Sequence, residues 1–128
     1  MTTEEGRPSS EKASTRDAGP RITIDTFMEV DLRVARVIAA EKIEKSKRLI
    51  KLVVDLGSEQ RTVVAGIAEA YEPAQLVGRT VVVVANLEPA RLMGIDSDGM
   101  VLAASLEDGK PALVQFNEPA PQPGTRVR

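Results

Sequence analysis

Between Arg33 and Lys51 the chain carries seven basic side chains, Arg33, Arg36, Lys42, Lys45, Lys47, Arg48 and Lys51, against two acidic ones, Glu41 and Glu44. Five of the seven fall within the ten residues from Lys42 to Lys51. A run of this kind does one kind of chemistry well: it neutralises phosphates and releases the counterions they hold. A local positive excess acts even though the whole chain has a formal charge of −2, because salt screens charges beyond about 8–10 Å. The alternative is a solvated, lysine-rich hairpin, and composition alone leaves the two equally open.

Other chemistries lack their side chains. There is no cysteine and no histidine, hence no thiol nucleophile, no thiolate metal site and no imidazole base. No metal or cofactor is expected, and the chain reads as a binding module rather than an enzyme. Its only aromatics are Phe27, Tyr71 and Phe116. Single-strand binders stack bases on aromatic platforms, so recognition of folded RNA by shape and phosphate is the better fit. No apolar run is long enough to span a bilayer, and the polar N-terminus lacks a signal-peptide core. A cytoplasmic protein without membrane association is therefore expected.

The elements that must position this charge follow from pattern. At 128 residues one domain with a modest core is expected. Residues 1–21 offer almost no apolar side chains and are expected to be a disordered tail, with the folded domain over 22–128. Asp25 is a candidate N-cap for a turn that tucks Phe27 under the core. From Val30 a long strand is expected, with Leu32, Val34 and Arg36 on one face and Arg33, Ala35 and Val37 on the other. Its length calls for a bend near Ala35 or Ala39. LIKLVVDLG and RTVVAGI are the second and third strands, joined by a turn at Gly57. Pro73 suits the first position of a short helix and Gly78 its C-terminal end. The β-branched run Val81–Val84 is a buried fourth strand, and GMVLAASL a fifth. Between them NLEPARLMGIDSDG reads as a long loop with apolar content. PALVQF is a short strand, and TRVR an additional edge strand after a proline-rich stretch. Three strands, a short helix and two strands is the order of an OB-fold. The expected class is all-β, a five-stranded Greek-key barrel with one short helix and a C-terminal extension.

The motifs VDLRVARV, KSKRLIKLVVDLG, RTVVAGI, VVVVANLEPARLMGIDSDGMVLAAS and PGTRVR together resemble the tRNA-binding domain at the C-terminus of bacterial methionyl-tRNA synthetases. The same domain occurs in free-standing tRNA-binding proteins. The resemblance implies an OB barrel, a homodimer, and recognition of tRNA by its folded outline, with assistance to an aminoacyl-tRNA synthetase as a possible role. It points to Lys42, Lys45, Lys47, Arg48 and Lys51 as phosphate contacts, with Asn86, Arg91, Ser97 and Met100 bordering the binding face. Asn86 equally suits backbone capping, Met100 suits core packing, and Gly66 and Gly94 suit backbone geometry rather than RNA contact. A sister group of secretion chaperones, which bind apolar peptides, shares the fold and is the alternative. From Asn86 to Asp108 five acidic residues face one basic residue, Arg91, so that side is not expected to touch phosphate. Leu92, Met93, Ile95, Leu113, Val114 and Val127 exceed what so small a barrel can cover, and a two-fold dimer contact is expected there.

Overall fold

The structure, a computed structural model, describes residues 19–128; most of the N-terminal tail lies outside them. Helix α1 (Ile24–Phe27) is a single turn. Its N-cap is Thr23, whose hydroxyl accepts the Thr26 N–H at 3.1 Å. Asp25, the expected cap, sits inside the turn. Both residues are suitable in type, and the extended backbone at Thr23 (φ −80°, ψ 162°) decides between them. Phe27 is half-buried.

Strand β1 (Leu32–Lys42) is the axis of the molecule. Its first half pairs antiparallel with β4 (Thr80–Val84), from Leu32–Val84 to Arg36–Thr80. The second half pairs with β2 (Ile50–Asp55), from Arg36–Asp55 to Lys42–Ile50. The register shifts between Val37 and Ala39, a bulge that lets one strand serve two sides of the barrel. Strand β3 (Gln60–Ala65) continues the meander beyond β2. Alternate residues of β2 point inward, so Ile50, Leu52 and Val54 are fully buried while Lys51, Val53 and Asp55 face outward.

Helix α2 (Pro73–Leu76) closes one end of the barrel through Leu76, which is fully buried. Gln75 Oε1 accepts the Glu72 N–H at 2.8 Å, and Gly78 takes φ 89° immediately after the helix. The core joins these elements through Val37, Leu52, Val63, Leu76, Val81 and Val83. Burying each such side chain contributes about 1.5–3 kcal/mol.

Beyond β4 the chain differs from the expected single loop and strand. Strands β5 (Ala90–Leu92) and β6 (Ile95–Ser97) form a hairpin. Its two-residue turn has Met93 at φ 50° and Gly94 at φ 81°, the left-handed pair that a tight hairpin demands. The fifth strand is divided. Its first part, β7 (Met100–Val101), pairs with β4, whereas β8 (Ala103–Ser105) leaves to pair with β9 (Pro111–Leu113). The main sheet runs β3-β2-β1-β4-β7, with no ladder joining β3 to β7. Gly99, at the entry to β7, passes close over the core, since a Cβ there would meet Val83, the Val84 carbonyl and Val63 at 3.1–3.5 Å. The result is a nearly closed, all-β OB-like barrel.

Strand β10 (Arg126–Val127) lies on β1 at Leu32 and Arg33, along the length that β2 does not cover. The chain before it crosses the β2–β3 turn. Gly57 and Gly124 both have φ 92°, and a Cβ at Gly124 would collide with the Leu56 carbonyl. Glycine is required there by both conformation and space.

Candidate nucleic-acid interface

The turn between β1 and β2 is built around one serine. Ser46 Oγ accepts the N–H groups of Arg48 (3.2 Å) and Leu49 (3.1 Å), and the Ser46 N–H donates to the Ile43 carbonyl at 2.9 Å. Half-buried Ile43 and Leu49 anchor the two ends. The Arg48 carbonyl accepts the Ala68 N–H at 2.9 Å, tying the turn to the chain after β3. With the backbone spent internally, Lys45, Lys47 and Arg48 are left exposed, and no carboxylate among the described residues lies within 4 Å of them. Such a cluster holds its charge for a phosphate brought from solution.

Other members of the basic run are placed differently. Lys42 pairs with Glu72 at 3.3 Å, both side chains being more than half exposed. Lys51 is half-buried on the outer face of β2, opposite Glu41 and Val64 in register. Arg36 is exposed beside Thr80 and Asp55. Arg33 is spent internally, donating to Asp31 at 2.7 Å and to the Gly124 carbonyl at 3.0 Å. The positive excess seen along the sequence is thus spread over several places, and the turn itself carries three cations with no carboxylate partner among the described residues.

The border residues divide as well. Asn86 bridges backbone, its Oδ1 accepting the Asp31 N–H at 2.8 Å and its Nδ2 donating to the Glu29 carbonyl at 2.6 Å. It stands at the Leu32 end of β1, opposite the Lys42 end that carries the turn; at about 3.3 Å per residue these ends are far apart. Arg91 pairs with Asp96 at 2.9 Å on the hairpin. Ser97 is 4% exposed. Its hydroxyl accepts the Val64 N–H at 2.8 Å and donates to the Gly99 carbonyl at 3.2 Å, so it braces β3 rather than facing solvent. Met100, suited by type to the core, is instead exposed. Gly94 has the expected left-handed backbone; Gly66 does not need one.

Among the apolar candidates for self-association, Leu92, Met93 and Val114 are exposed, and Ile95 and Val127 are half-buried. Leu113 departs from expectation: it belongs to the core, and its N–H donates to the Tyr71 hydroxyl at 3.1 Å. Its side chain is covered by this chain's own strands.

A second charged cluster had no sequence signal, because its members are scattered along the chain. Arg61 donates to the Ala85 carbonyl at 2.5 Å and pairs with Glu59 at 2.9 Å and Asp98 at 3.7 Å. The Glu59 hydrogen bond, supported by the Asp98 charge, raises the Arg61 pKa above its ordinary value against the opposing effect of burial. Arg126 lies 3.9 Å from Asp31 and donates to the Met28 carbonyl at 3.2 Å. Asp31, Arg33, Glu59 and Arg61 line a cavity of about 230 Å³. Each arginine has a carboxylate within 4 Å, so the cluster holds the C-terminal segment to the barrel without net charge to offer. Among the described residues no helix is long and apolar enough to cross a membrane, and no group of acidic side chains is placed to hold a metal ion.

The family model described as "Putative tRNA binding domain" matches residues 32–126. A methionine–tRNA ligase from Archaeoglobus fulgidus is 54% identical over 106 residues, which is 83% of this chain and 16% of the ligase. The chain therefore spans about one sixth of that relative's length. Among solved structures, a MetRS-related protein from Pyrococcus horikoshii superposes with a TM-score of 0.80 at 41% identity, covering 85% of this chain and 99% of that one. The chaperone CsaA from Bacillus anthracis superposes with a TM-score of 0.77 at 31% identity, covering 85% of this chain and all of CsaA. The matched family is a binding domain, not a catalytic one, although the ligases that contain it are enzymes.

Proposed function

For a chain that belongs to the tRNA-binding domain family, we propose a function in binding folded tRNA by its outline and its phosphates. The observation that supports this most is the turn of Lys45, Lys47 and Arg48: three exposed cations, no carboxylate of the described residues within pairing distance, and a backbone braced by Ser46. Lys51 extends the basic surface along β2, and Lys42 joins it when a phosphate competes with Glu72. Asn86 and Ser97 act here as positioning residues, holding the N-terminal segment and the hairpin, and Met100 borders the surface. Arg91 is a minor contact, neutralised by Asp96.

The protein acts as a homodimer in this reading, with exposed Leu92, Met93 and Val114 at the centre of the contact and Ile95 and Val127 at its margin. Two basic turns then straddle one folded RNA. The folded unit is 22–128, the preceding residues are dispensable for it, and the working compartment is the cytoplasm, where the domain lends tRNA affinity to an aminoacyl-tRNA synthetase in trans. The chaperone reading has one observation in its favour, the likeness to CsaA, but it leaves the exposed basic turn without a role.

A gel shift with unfractionated tRNA at two salt concentrations separates the readings. Binding that weakens steeply with salt is expected. Salt-independent retention of an apolar peptide, with no tRNA shift, would overturn the proposal.

A further inference from the structure

Next to the basic turn the barrel wall is open. The outer edge of β3 and the start of the divided fifth strand face one another without a ladder. Between them lies a groove of about 260 Å³, lined by Val64, Gly66, Ile67, Met100, Val101 and Ala103 among others. Its volume is just below the roughly 300–1,000 Å³ of pockets that take drug-sized ligands, which suits a single ring system. Met100 is 47% exposed at its rim.

Two features make this more than an apolar dent. Gly66 is exposed, and neither its N–H nor its carbonyl makes a hydrogen bond among the described residues. An unpaired donor and acceptor therefore stand together on an apolar wall. The β3 wall of the groove also adjoins the turn that carries Lys45, Lys47 and Arg48. Ala68 bonds to the Arg48 carbonyl, and the Cβ position of Gly66 lies 3.9 Å from Leu49 Cδ2.

We infer that this groove receives the base of one unpaired nucleotide, whose neighbouring phosphates are held by the basic turn. The apolar walls and the Met100 thioether contact the ring faces, and the Gly66 backbone groups meet polar atoms on the base edge. Unpaired bases splayed from loops and bulges are the part of a folded RNA that proteins can enclose. Such a slot supplies, from aliphatic and sulfur contacts, what this chain lacks in aromatic platforms. An apolar peptide side chain fits the walls equally well but has no use for three adjacent cations.

The inference rests on the RNA-binding reading above, and the test separates the two. Two RNA hairpins of one sequence are compared on the full chain, one with a single bulged adenosine and one with an abasic residue at that position. Phosphates and charge are the same in both. The base-containing RNA should bind about tenfold more tightly, the worth of about one enclosed base. Gly66→Leu, which plugs the groove where a Cβ meets only Leu49, should bring it down to the affinity of the abasic RNA. Ala103→Leu plugs it from the opposite wall and serves if the first variant fails to fold. Equal binding of the two RNAs by the wild-type protein overturns the slot and leaves the phosphate reading standing. Failure of both RNAs to bind overturns both readings. An apolar peptide bound by the wild type and lost in Gly66→Leu, with no difference between the RNAs, assigns the groove to peptide instead.

Discussion

Ser97 Oγ accepts the Val64 N–H at 2.8 Å, so a side chain does at the edge of β3 what a neighbouring strand does elsewhere in the sheet. The adjoining bond, from the Asp98 N–H to the Thr62 carbonyl at 2.8 Å, uses backbone. Together they hold the β5–β6 hairpin against the barrel. Replacing Ser97 by Ala leaves a buried N–H without a partner, which costs about 1–3 kcal/mol. The melting temperature should fall, and amide exchange at Val64 should quicken more than at Leu52. An unchanged Val64 exchange rate would show that the serine is not the brace.

Met93 holds φ 50° at the tip of that hairpin, a backbone region that non-glycine residues other than Asn and Asp enter at a cost. Met93→Asn should therefore raise the stability of the folded chain by up to about 1 kcal/mol. If Met93 lies at the dimer contact, the same change should weaken association, since it removes an exposed apolar side chain. Denaturation and light scattering on one sample read the two effects, which should have opposite signs.

Much of this fold was legible before the structure because its strands are written in β-branched residues. Val81–Val84 and Leu52–Val54 are apolar runs rich in β-branched residues, which favour strands, and Pro73 with Gly78 brackets α2. The hairpin was not legible, since Ala90, Arg91 and Leu92 carry little strand preference and its turn depends on a left-handed methionine. The candidate site shows the same division. Local sequence placed Lys45, Lys47 and Arg48 correctly on one turn. It could not show that Arg33 is spent on Asp31 and Gly124, because the second partner is 91 residues away. Nor could it show that Leu113 is covered and Met100 is not, since both are ordinary core types. Their exposure is decided where the fifth strand divides.

At the crossing of the C-terminal segment, Gly124→Ala places a methyl group against the Leu56 carbonyl and requires φ 92° of a residue with a Cβ. A loss of about 1–3 kcal/mol is expected from the overpacking. Undocking of the segment would also free Arg33 from the Gly124 carbonyl. Protease cleavage after Arg126 should become fast at temperatures where the wild type resists. Equal resistance would show that the backbone yields at little cost.

Asn86→Ala distinguishes a positioning residue from an RNA contact. It removes both bridges, to Asp31 and to Glu29, at a typical net cost of about 0.5–1.5 kcal/mol for each bond lost. The melting temperature should drop while the salt dependence of tRNA binding stays that of the wild type. A flatter salt dependence with unchanged stability would make Asn86 part of the contact surface instead.

The basic turn carries the most direct test. Lys45, Lys47 and Arg48 are exposed and without carboxylate partners among the described residues, so each change to Ala removes charge and little else. A phosphate carries no sequence information, so each variant should weaken the binding of different tRNAs by a similar factor. Each lost contact should also flatten the slope of log K against log salt by about one. In a dimer with both turns engaged, one substitution removes two contacts and flattens the slope by about two. Lys42→Ala should act more weakly, because Glu72 already neutralises that lysine at 3.3 Å. Stability should hardly move in the three turn variants, since exposed charges contribute little to it. A triple Ala variant that folds and still binds tRNA with the wild-type slope would reduce this turn to a solvated hairpin and move the phosphate site to another face.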